Sequence, residues 1–528
     1  MKFLNIFSNK NSRNQNFDFW NLLAIISTLV IIAPLVYIFI NIFSKNSENF
    51  YHIVDNLLLD YIKNTFILVF FSAIFSSIIG YCFAYFTVFY DFKFRKIFDI
   101  LFILPLAIPT YIAGYVYGEL FSFTGLFKGK IDILNIYGGI FIFSVFLAPY
   151  VYIISKSYLS KISANIIENA KILGKNNTQI FFKILLPMSR IAIVSSVILV
   201  ILEIINAYGV VSYFGINTFS IGIFRTWFSL GDSNSAIKLA AFLMFITFTI
   251  LSIEKLFRKH KSYAYTNSKI KSIKRVKLSK TKELIILTFA STYILVGFII
   301  PILQLIHFSI LTYKEMLNYD TFSLIFKTFV ITAISSLLIV IIAIIISNNT
   351  RLSKDKFSEI LARISSIGYS IPGAVIAVGV LMLFITIDNF FDTYFSMSFI
   401  MLVLAYFIRF LGVGYNTINT GFSKIGLKFH ESARTLGKSK TYTFFKVDFP
   451  MIKTSIFSAY ILVFIEIIKE LPLTLILRPF NFDTLSTITK KYVEDEMIYH
   501  SGIPSLIIVI LCFLGIVYFN ILNKNRRK

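Results

Sequence analysis

Apolar residues are gathered into twelve long runs that short polar segments separate. Most runs reach the roughly 20 residues that an α-helix needs to cross a hydrocarbon core. They lie at 20–43, 65–90, 97–121, 140–159, 189–214, 239–257, 283–310, 329–349, 369–387, 399–418, 451–477 and 501–522. The pattern predicts an all-α polytopic membrane protein with twelve transmembrane helices.

Composition and charge agree with a membrane protein and predict its orientation. The 528 residues are 57% apolar and 15% charged, with a mean hydropathy of +0.77. If the N-terminus is cytoplasmic, the segments on that side (1–19, 91–96, 160–190, 258–282, 350–368, 419–453 and 523–528) hold more than two thirds of the 51 lysines and arginines. Positive residues concentrate in cytoplasmic loops, so both termini are expected there. Topology thus explains most of the net charge of +24, and we expect anionic lipid rather than nucleic acid beside the basic segments.

Several classes of site are disfavoured. The two cysteines stand alone in apolar runs, and the five histidines form no pair at ligand spacing, so neither a disulfide framework nor a metal site is expected. The N-terminal segment has no small-residue cleavage site, which predicts an uncleaved first helix. A membrane-embedded enzyme should show a sizeable polar loop with clustered acids or histidines, and none is visible.

The chain is an internal repeat with an offset of 263 residues. A basic linker, 258–282, divides a first half (1–257) from a second half (283–528). Matched positions include Thr65 and Thr328, Pro109 and Pro372, Glu168 and Glu431, Pro187 and Pro450, and Glu203 and Glu466. With six spans each, the two tandem halves have the same orientation, and the pathway is expected between them.

The best-matched stretches are two cytoplasmic segments, 168–190 and 431–453, in which almost half of the aligned positions are identical. In each, a glutamate precedes a glycine by six residues, and a proline follows the glycine by thirteen. The pattern predicts a short helix, a reversal at the glycine, a second amphipathic piece, and a membrane helix that begins at the proline. A duplicated docking surface explains the matching residues better than two simple connecting loops.

These two segments resemble the EAA loops of permease subunits of ATP-binding-cassette (ABC) importers. The first loop (about 160–190) carries Glu168, Ala170, Gly174 and Pro187; the second (about 419–453) carries Glu431, Ala433, Gly437 and Pro450. Both depart from the pattern at its middle alanine, and the second has Phe449 where leucine is usual before the proline. The resemblance implies the type I importer permease fold and assigns these eight residues to coupling with an ATPase.

A chain with two fused permease halves resembles the ferric-iron importer permeases and the related thiamine permease. The stretches 104–111, 206–232 and 469–487 match the iron(III) group, although thiamine and other small-solute permeases share much of them. The resemblance implies two copies of a cytoplasmic ATPase, a substrate-binding protein and a bacterial cytoplasmic membrane. This chain has no phosphate-binding loop, because Ser432 stands where the first glycine before Gly437-Lys438-Ser439 is required. ATP and Mg²⁺ are therefore expected on the partner subunits and no cofactor on this chain.

Ionisable residues inside the spans mark a second candidate region. Charges near the bilayer centre are costly and usually face a cavity or a partner. Glu203, Glu466, Lys469 and Glu470 are therefore candidates for the translocation pathway. The alternative is structural: the glutamates pair with Lys469 or Arg409, or cap a helix break near Pro472.

Two further interpretations stay open. Pro109 and Pro372 interrupt the third and ninth spans, where a gate or kink and simple packing are equally consistent with the sequence. An ion-coupled secondary transporter with twelve helices would also explain the span count and the buried glutamates. It would not explain the duplicated cytoplasmic motif.

Overall fold

The fold is described from a computed structural model, which describes residues 19–259, 273–353 and 356–525. The N-terminal basic segment up to 18 and most of the linker therefore lie outside the described residues. The first half contains α1 (Phe19–Asn41), α2 (Glu48–Asn56), α3 (Leu58–Phe89), β1 (Tyr90–Asp91), α4 (Arg95–Leu101), α5 (Thr110–Phe121), α6 (Ile136–Leu159), α7 (Ala164–Ile172), α8 (Asn177–Ile180), α9 (Leu186–Asn206), α10 (Gly209–Tyr213), α11 (Phe219–Phe224) and α12 (Ser233–Lys259).

The remainder of the described chain has a similar succession of helices, with its strand at the start. It contains β2 (Val276–Lys277), α13 (Lys280–Ile294), α14 (Ile300–Met316), α15 (Tyr319–Ser353), α16 (Lys356–Ile367), α17 (Gly373–Phe391), α18 (Phe399–Ile425), α19 (Lys428–Thr435), α20 (Lys440–Thr443), α21 (Phe449–Ile468), α22 (Pro472–Leu477), α23 (Leu485–Glu494) and α24 (Gly502–Asn525). Short 3₁₀ segments occupy Leu104–Ala107, Gly368–Ser370 and Ile498–Ser501.

The number of membrane helices agrees with the sequence prediction. Among the described residues, eleven helices are long and apolar enough to cross a membrane, and a bent pair makes a twelfth. That pair, Arg95–Ala107 and Thr110–Phe121, meets at 89° at Pro109. The predicted all-α polytopic fold is therefore confirmed, and the third span is a broken one.

Two predicted spans end earlier than the apolar runs suggest. The runs 189–214 and 451–477 predict continuous helices, but the helices stop at Asn206 and Ile468 and restart at Gly209 and Pro472. In the second half the new helix begins at Pro472, which has no N–H to continue the preceding helix and is tolerated at the first helical position. The breaks are repeat-related, because 209 and 472 differ by the same 263 residues.

The membrane helices of both EAA loops begin before their prolines, contrary to the sequence prediction. A five-residue π-helical turn, Phe181–Leu185 or Phe444–Asp448, joins the short helix to the long one. A third such turn, Leu295–Ile299, precedes Pro301. In all three, one residue separates the turn from the proline, which has no N–H to donate and whose ring would clash with the carbonyl of the residue four positions earlier in an ordinary α-helix. The result is a single helix of 30 residues, Asn177–Asn206, and one of 29 residues, Lys440–Ile468.

The two sequence halves are interleaved rather than packed side by side. Helix α1 lies on the second half, where the backbone of Gly379 in α17 faces Ile38. Helix α13 lies on the first half, where Tyr293 stacks on Phe102 with ring centroids 4.0 Å apart. Each of the two apolar cores consequently contains residues from both halves.

The described end of the linker is ordered against the first half. Strand β2 pairs in parallel with β1, with Tyr90 opposite Val276 and Asp91 opposite Lys277. The backbone N–H of Lys93 also donates to Glu283 Oε1 at 2.7 Å. The sequence predicts a solvated linker over 258–282; the described residues at this end are mostly exposed, and the backbone of β2 pairs beside the end of α3.

Candidate functional site

Each EAA loop forms a short helix followed by a glycine reversal, as the motif predicts. Helices α7 and α19 end just before Gly174 and Gly437, whose φ angles are +75° and +77°. This left-handed conformation suits glycine because it has no Cβ. A Cβ at either position would meet nothing within 4 Å, so the requirement is conformational and not steric.

The two loops present the same side chains in the same way. Glu168 and Glu431 are exposed on α7 and α19, Ala170 is buried and Ala433 half-buried, and Pro187 and Pro450 are exposed. The residue before each glycine, Leu173 or Leu436, is 78% exposed. Sequence reasoning missed these two leucines, although their identity in both copies was visible. An exposed apolar patch of this kind marks an interaction site.

The paired phenylalanines of the loops do not form one apolar face. Phe181 packs inward on Tyr85, with ring centroids 4.7 Å apart, whereas Phe182 is exposed. In the second loop Phe444 is buried and Phe445 is exposed. The first phenylalanine therefore anchors each loop and the second enlarges its exposed patch.

The four charged pathway candidates line one cavity of about 90 Å³ between the halves. It lies where α9 and α21 end, so the two helix breaks form part of its wall. The lining residues are Leu106, Ile108, Pro109, Thr110, Tyr111, Phe146, Leu147, Tyr150, Glu203, Asn206, Ala207, Tyr208, Gly209, Arg409, Glu466, Lys469, Glu470, Leu471 and Pro472. The repeat explains why residues so distant in sequence converge here.

The repeat-related carboxylates Glu203 and Glu466 have different partners. Glu203 Oε1 accepts hydrogen bonds from the hydroxyls of Tyr369, at 3.1 Å, and Tyr150, at 3.4 Å. Glu466 Oε1 instead lies 2.9 Å from Lys469 Nζ, one turn along the same helix. The two repeat-related carboxylates therefore share one cavity, but one is hydrogen-bonded by neutral hydroxyls and the other is paired with a lysine.

A third carboxylate fixes the helix break of the second half. Glu470 Oε2 lies 3.2 Å from Arg409 Nε, and its Oε1 accepts the backbone N–H of Leu473 at 3.1 Å. Arg409 Nη1 also donates to the carbonyl of Ile371 at 2.8 Å. Glu470 therefore caps the segment after the break, and the arginine ties it to the α16–α17 connection.

Of the two prolines, Pro109 lies at the break in the third span, whereas Pro372 precedes the ninth membrane helix and does not interrupt it. Pro109 precedes α5 and lines the cavity, and Pro372 precedes α17. The next residue, Gly373, donates its N–H to Asn206 Oδ1 at 2.6 Å. A Cβ on Gly373 would stand 2.7 Å from Glu470 Oε1, so glycine allows this close approach.

The cavity holds three carboxylates and two basic groups, an arrangement with a small acidic excess. Within the described part of the chain, no group of three or more His, Cys, Asp or Glu side chains is placed to hold a metal ion. Tyr150, Tyr369 and Asn206 are the lining or contacting residues that sequence reasoning missed.

Two comparisons with known proteins give matches over most of the chain. A family model described as "Binding-protein-dependent transport system inner membrane component" matches residues 76–259 and again 339–528. The chain is also 25% identical over 390 residues to the Fe(3+)-transport system permease protein FbpB 2 of Haemophilus influenzae. That match covers 72% of this chain and 75% of the relative.

Proposed function

Because the chain belongs to the family of binding-protein-dependent transport system inner membrane components, we propose that it is the permease of an ATP-driven importer of ferric iron. The iron assignment rests on similarity to a relative named as an Fe(3+)-transport permease. Family membership also disfavours the ion-coupled secondary transporter. We place the chain in a bacterial cytoplasmic membrane with both EAA loops in the cytoplasm.

One observation carries the mechanism: in each half, a single helix runs from the EAA loop to the repeat-related carboxylate of the cavity. Asn177–Asn206 runs from the first loop to Glu203, and Lys440–Ile468 runs from the second loop to Glu466. At 1.5 Å per residue each helix is about 45 Å long. A displacement of a loop would therefore move one wall of the cavity directly.

Transport then follows as alternating access. Two cytoplasmic ATPase subunits dock on the two loops through the exposed patches around Leu173 and Leu436. ATP-driven closure brings the loops together and opens the cavity towards a binding protein on the outer segments 215–238 and 478–500. Hydrolysis resets the helices and releases the cation inward. The carboxylates lower the cost of a cation inside the low-dielectric span, and the basic partners keep its affinity low enough for release.

The proposal is tested by uptake of ⁵⁵Fe into cells that carry wild-type protein or the paired change Gly174→Asp and Gly437→Asp. A carboxylate there has room but must adopt the left-handed backbone that favours glycine, so the change should distort the loop locally and disturb docking. A suitable control is Gly129→Asp, another positive-φ glycine in a different loop, where the atoms nearest to an added Cβ belong to the exposed Phe123 ring, 2.9 Å away. Membrane expression and thermal stability are compared for all variants.

We expect the paired variant to lose iron uptake at equal expression, and the control to retain it. Labelled thiamine is measured in parallel. Unchanged iron uptake with lost thiamine uptake would keep the architecture and overturn the substrate. If neither iron nor thiamine uptake depends on the loops, both substrate assignments lose support. If no ATP-dependent uptake is changed by the paired variant, the importer assignment itself is overturned.

A further inference from the structure

A second cavity, of about 380 Å³, lies next to the central one at the end opposite the EAA loops. Tyr208 lines both cavities, and its ring stacks on Phe224 with centroids 3.7 Å apart. Tyr208 corresponds in the repeat to Leu471, which lines the central cavity at the other helix break. The second cavity, here called the vestibule, therefore shares Tyr208 with the acidic cavity as a common lining residue.

Three cationic side chains line the vestibule: Arg225, Arg478 and Lys490. Glu494 is the one carboxylate among its lining residues. The repeat counterparts of the three cations are Ile488, Gly215 and Trp227, so duplication does not account for the cluster. Three separate segments from the two halves bring these charges to one place.

The partners of these cations leave donors available. Arg225 Nη1 donates to the neutral amide oxygen of Asn217 at 2.8 Å. Arg478 pairs with Asp483, and the buried Lys490 pairs with Glu494 and stands over the Tyr208 ring, 5.0 Å from its centroid. A guanidinium has five N–H donors, and these contacts use only some of them. The three cations outnumber the two carboxylates, Glu494 and Asp483, so the formal net charge of the site is positive.

We propose that the vestibule is an oxyanion site, which binds a phosphate or carboxylate group between Arg225 and Arg478. Arginine forks match these groups in geometry and form the stronger, charge-assisted hydrogen bonds. The cavity is large enough for a small-molecule ligand. Two sources share this chemistry: free inorganic phosphate, and the carboxylates of a chelator that carries the metal ion.

The site has a consequence for the cargo that rests on the proposed function. A bare trivalent cation would be repelled by the three cationic side chains on its way to Tyr208. An oxyanion bound there would remove this repulsion, while the carboxylates of the next cavity attract the cation. Iron flux should therefore depend on the anion that accompanies the metal.

The test is equilibrium binding to the purified full-length chain in a phosphate-free, uncharged detergent. The probes are ³²P-orthophosphate, ¹⁴C-citrate, and ¹⁴C-citrate with Fe³⁺. We expect saturable binding of at least one probe, weakened about tenfold or more by Arg225→Gln and by Arg478→Gln because each removes a charge-assisted contact. Glu494→Gln should tighten binding severalfold, an effect that misfolding does not produce. The matched control is Lys491→Gln, an exposed neighbour that does not line the vestibule.

Binding of phosphate alone would identify a free anion as the ligand, and binding of citrate only with iron would identify a chelate. Absence of saturable binding, or binding that both arginine variants leave unchanged, would overturn the site. A different result would contradict the iron assignment. If anion binding behaves as expected but ⁵⁵Fe uptake is indifferent to the EAA loops, the vestibule stands and the proposed cargo does not.

Discussion

His430 Nδ1 lies 2.6 Å from Asp448 Oδ2, a contact that joins the second EAA loop to the start of its own membrane helix. Arg351 at the end of α15 holds the other carboxylate oxygen, with Nη1 and Oδ1 3.0 Å apart. All three side chains are buried. At the equivalent positions of the first half stand Ile167, Leu185 and Val88. The two EAA loops are thus fixed by different chemistry, one ionic and one apolar.

This buried cluster yields the first prediction. Asp448→Asn should lower the free energy of unfolding by about 3–5 kcal/mol, because it leaves the buried Arg351 guanidinium without a counter-charge. The triple change Arg351→Val, His430→Ile and Asp448→Leu copies the first half and should recover most of the loss. Thermal unfolding of the purified variants in detergent measures both. A triple variant no more stable than Asp448→Asn would show that the cluster is required for more than charge compensation.

How far the sequence predicts this molecule depends on where the partner of each residue lies. The EAA loops were predictable because both copies carry the same local pattern, and the φ angles of Gly174 and Gly437 agree with it. The twelve spans were predictable because a bilayer imposes a fixed length on apolar helices. These features depend on neighbours in the sequence.

Features that depend on the other half were not predictable. Tyr369 reaches Glu203 across 166 residues, and Gly373 reaches Asn206 across 167. The packing of α1 and α13 on the opposite halves was not predictable either, because in the sequence both helices are apolar runs like the others. The coupling roles of the loops and the pathway role of the carboxylates remain predictions.

The second prediction concerns the unequal carboxylates of the central cavity. Glu203→Gln should reduce ⁵⁵Fe uptake about tenfold, which corresponds to about 1.4 kcal/mol of lost cation stabilisation. Its two tyrosine donors can still bond an amide oxygen, so thermal stability should hardly change. Glu466→Gln should lower stability as well as uptake, because it leaves Lys469 without its carboxylate. Equal stability losses in both variants, with uptake intact, would favour the purely structural interpretation.

The third prediction concerns the contact between α3 and α6. A Cβ at Gly80 would lie 2.5 Å from the carbonyl oxygen of Ala148 and 2.7 Å from the Val151 Cβ. The repeat positions of Gly80 and Val151 are Ala343 and Gly414, so the second half has the small residue on the opposite helix. Gly80→Ala should therefore destabilise by about 1–3 kcal/mol despite the better helix propensity of alanine.

Adding Val151→Gly to Gly80→Ala recreates the arrangement of the second half and should restore part of this loss. The rescue is partial because the close carbonyl of Ala148 remains. Thermal unfolding of the single and double variants forms a double-mutant cycle, and we expect a coupling energy of about 0.5–3 kcal/mol. Strict additivity would mean that the two side chains do not share one space.

The fourth prediction is a pH dependence at Asp232, which precedes α12. Burial acts to raise the pKa of this carboxyl, but hydrogen bonds from Ser47, Ser235 and Asn49 outweigh it and hold the pKa below its ordinary value of 3.8. The Ser235 N–H donates to Oδ1 at 3.0 Å, and Ser47 Oγ donates to Oδ2 at 2.5 Å.

A folded-state pKa below the unfolded one stabilises the protein above pH 4 and loses this contribution as the pH falls through the folded value. Asp232→Ala should therefore be less stable than wild type by about 1 kcal/mol at pH 7, the usual cost of removing a helix cap. The difference should shrink as the pH falls towards 3, because protonation weakens the wild-type contacts while alanine has none to lose. Asp232→Asn, which keeps a capping oxygen without charge, should lie between them and respond less to pH. Thermal unfolding between pH 7 and pH 3 measures all three, and a stability gap that stays constant with pH would show that the cap acts through shape and not through its charge.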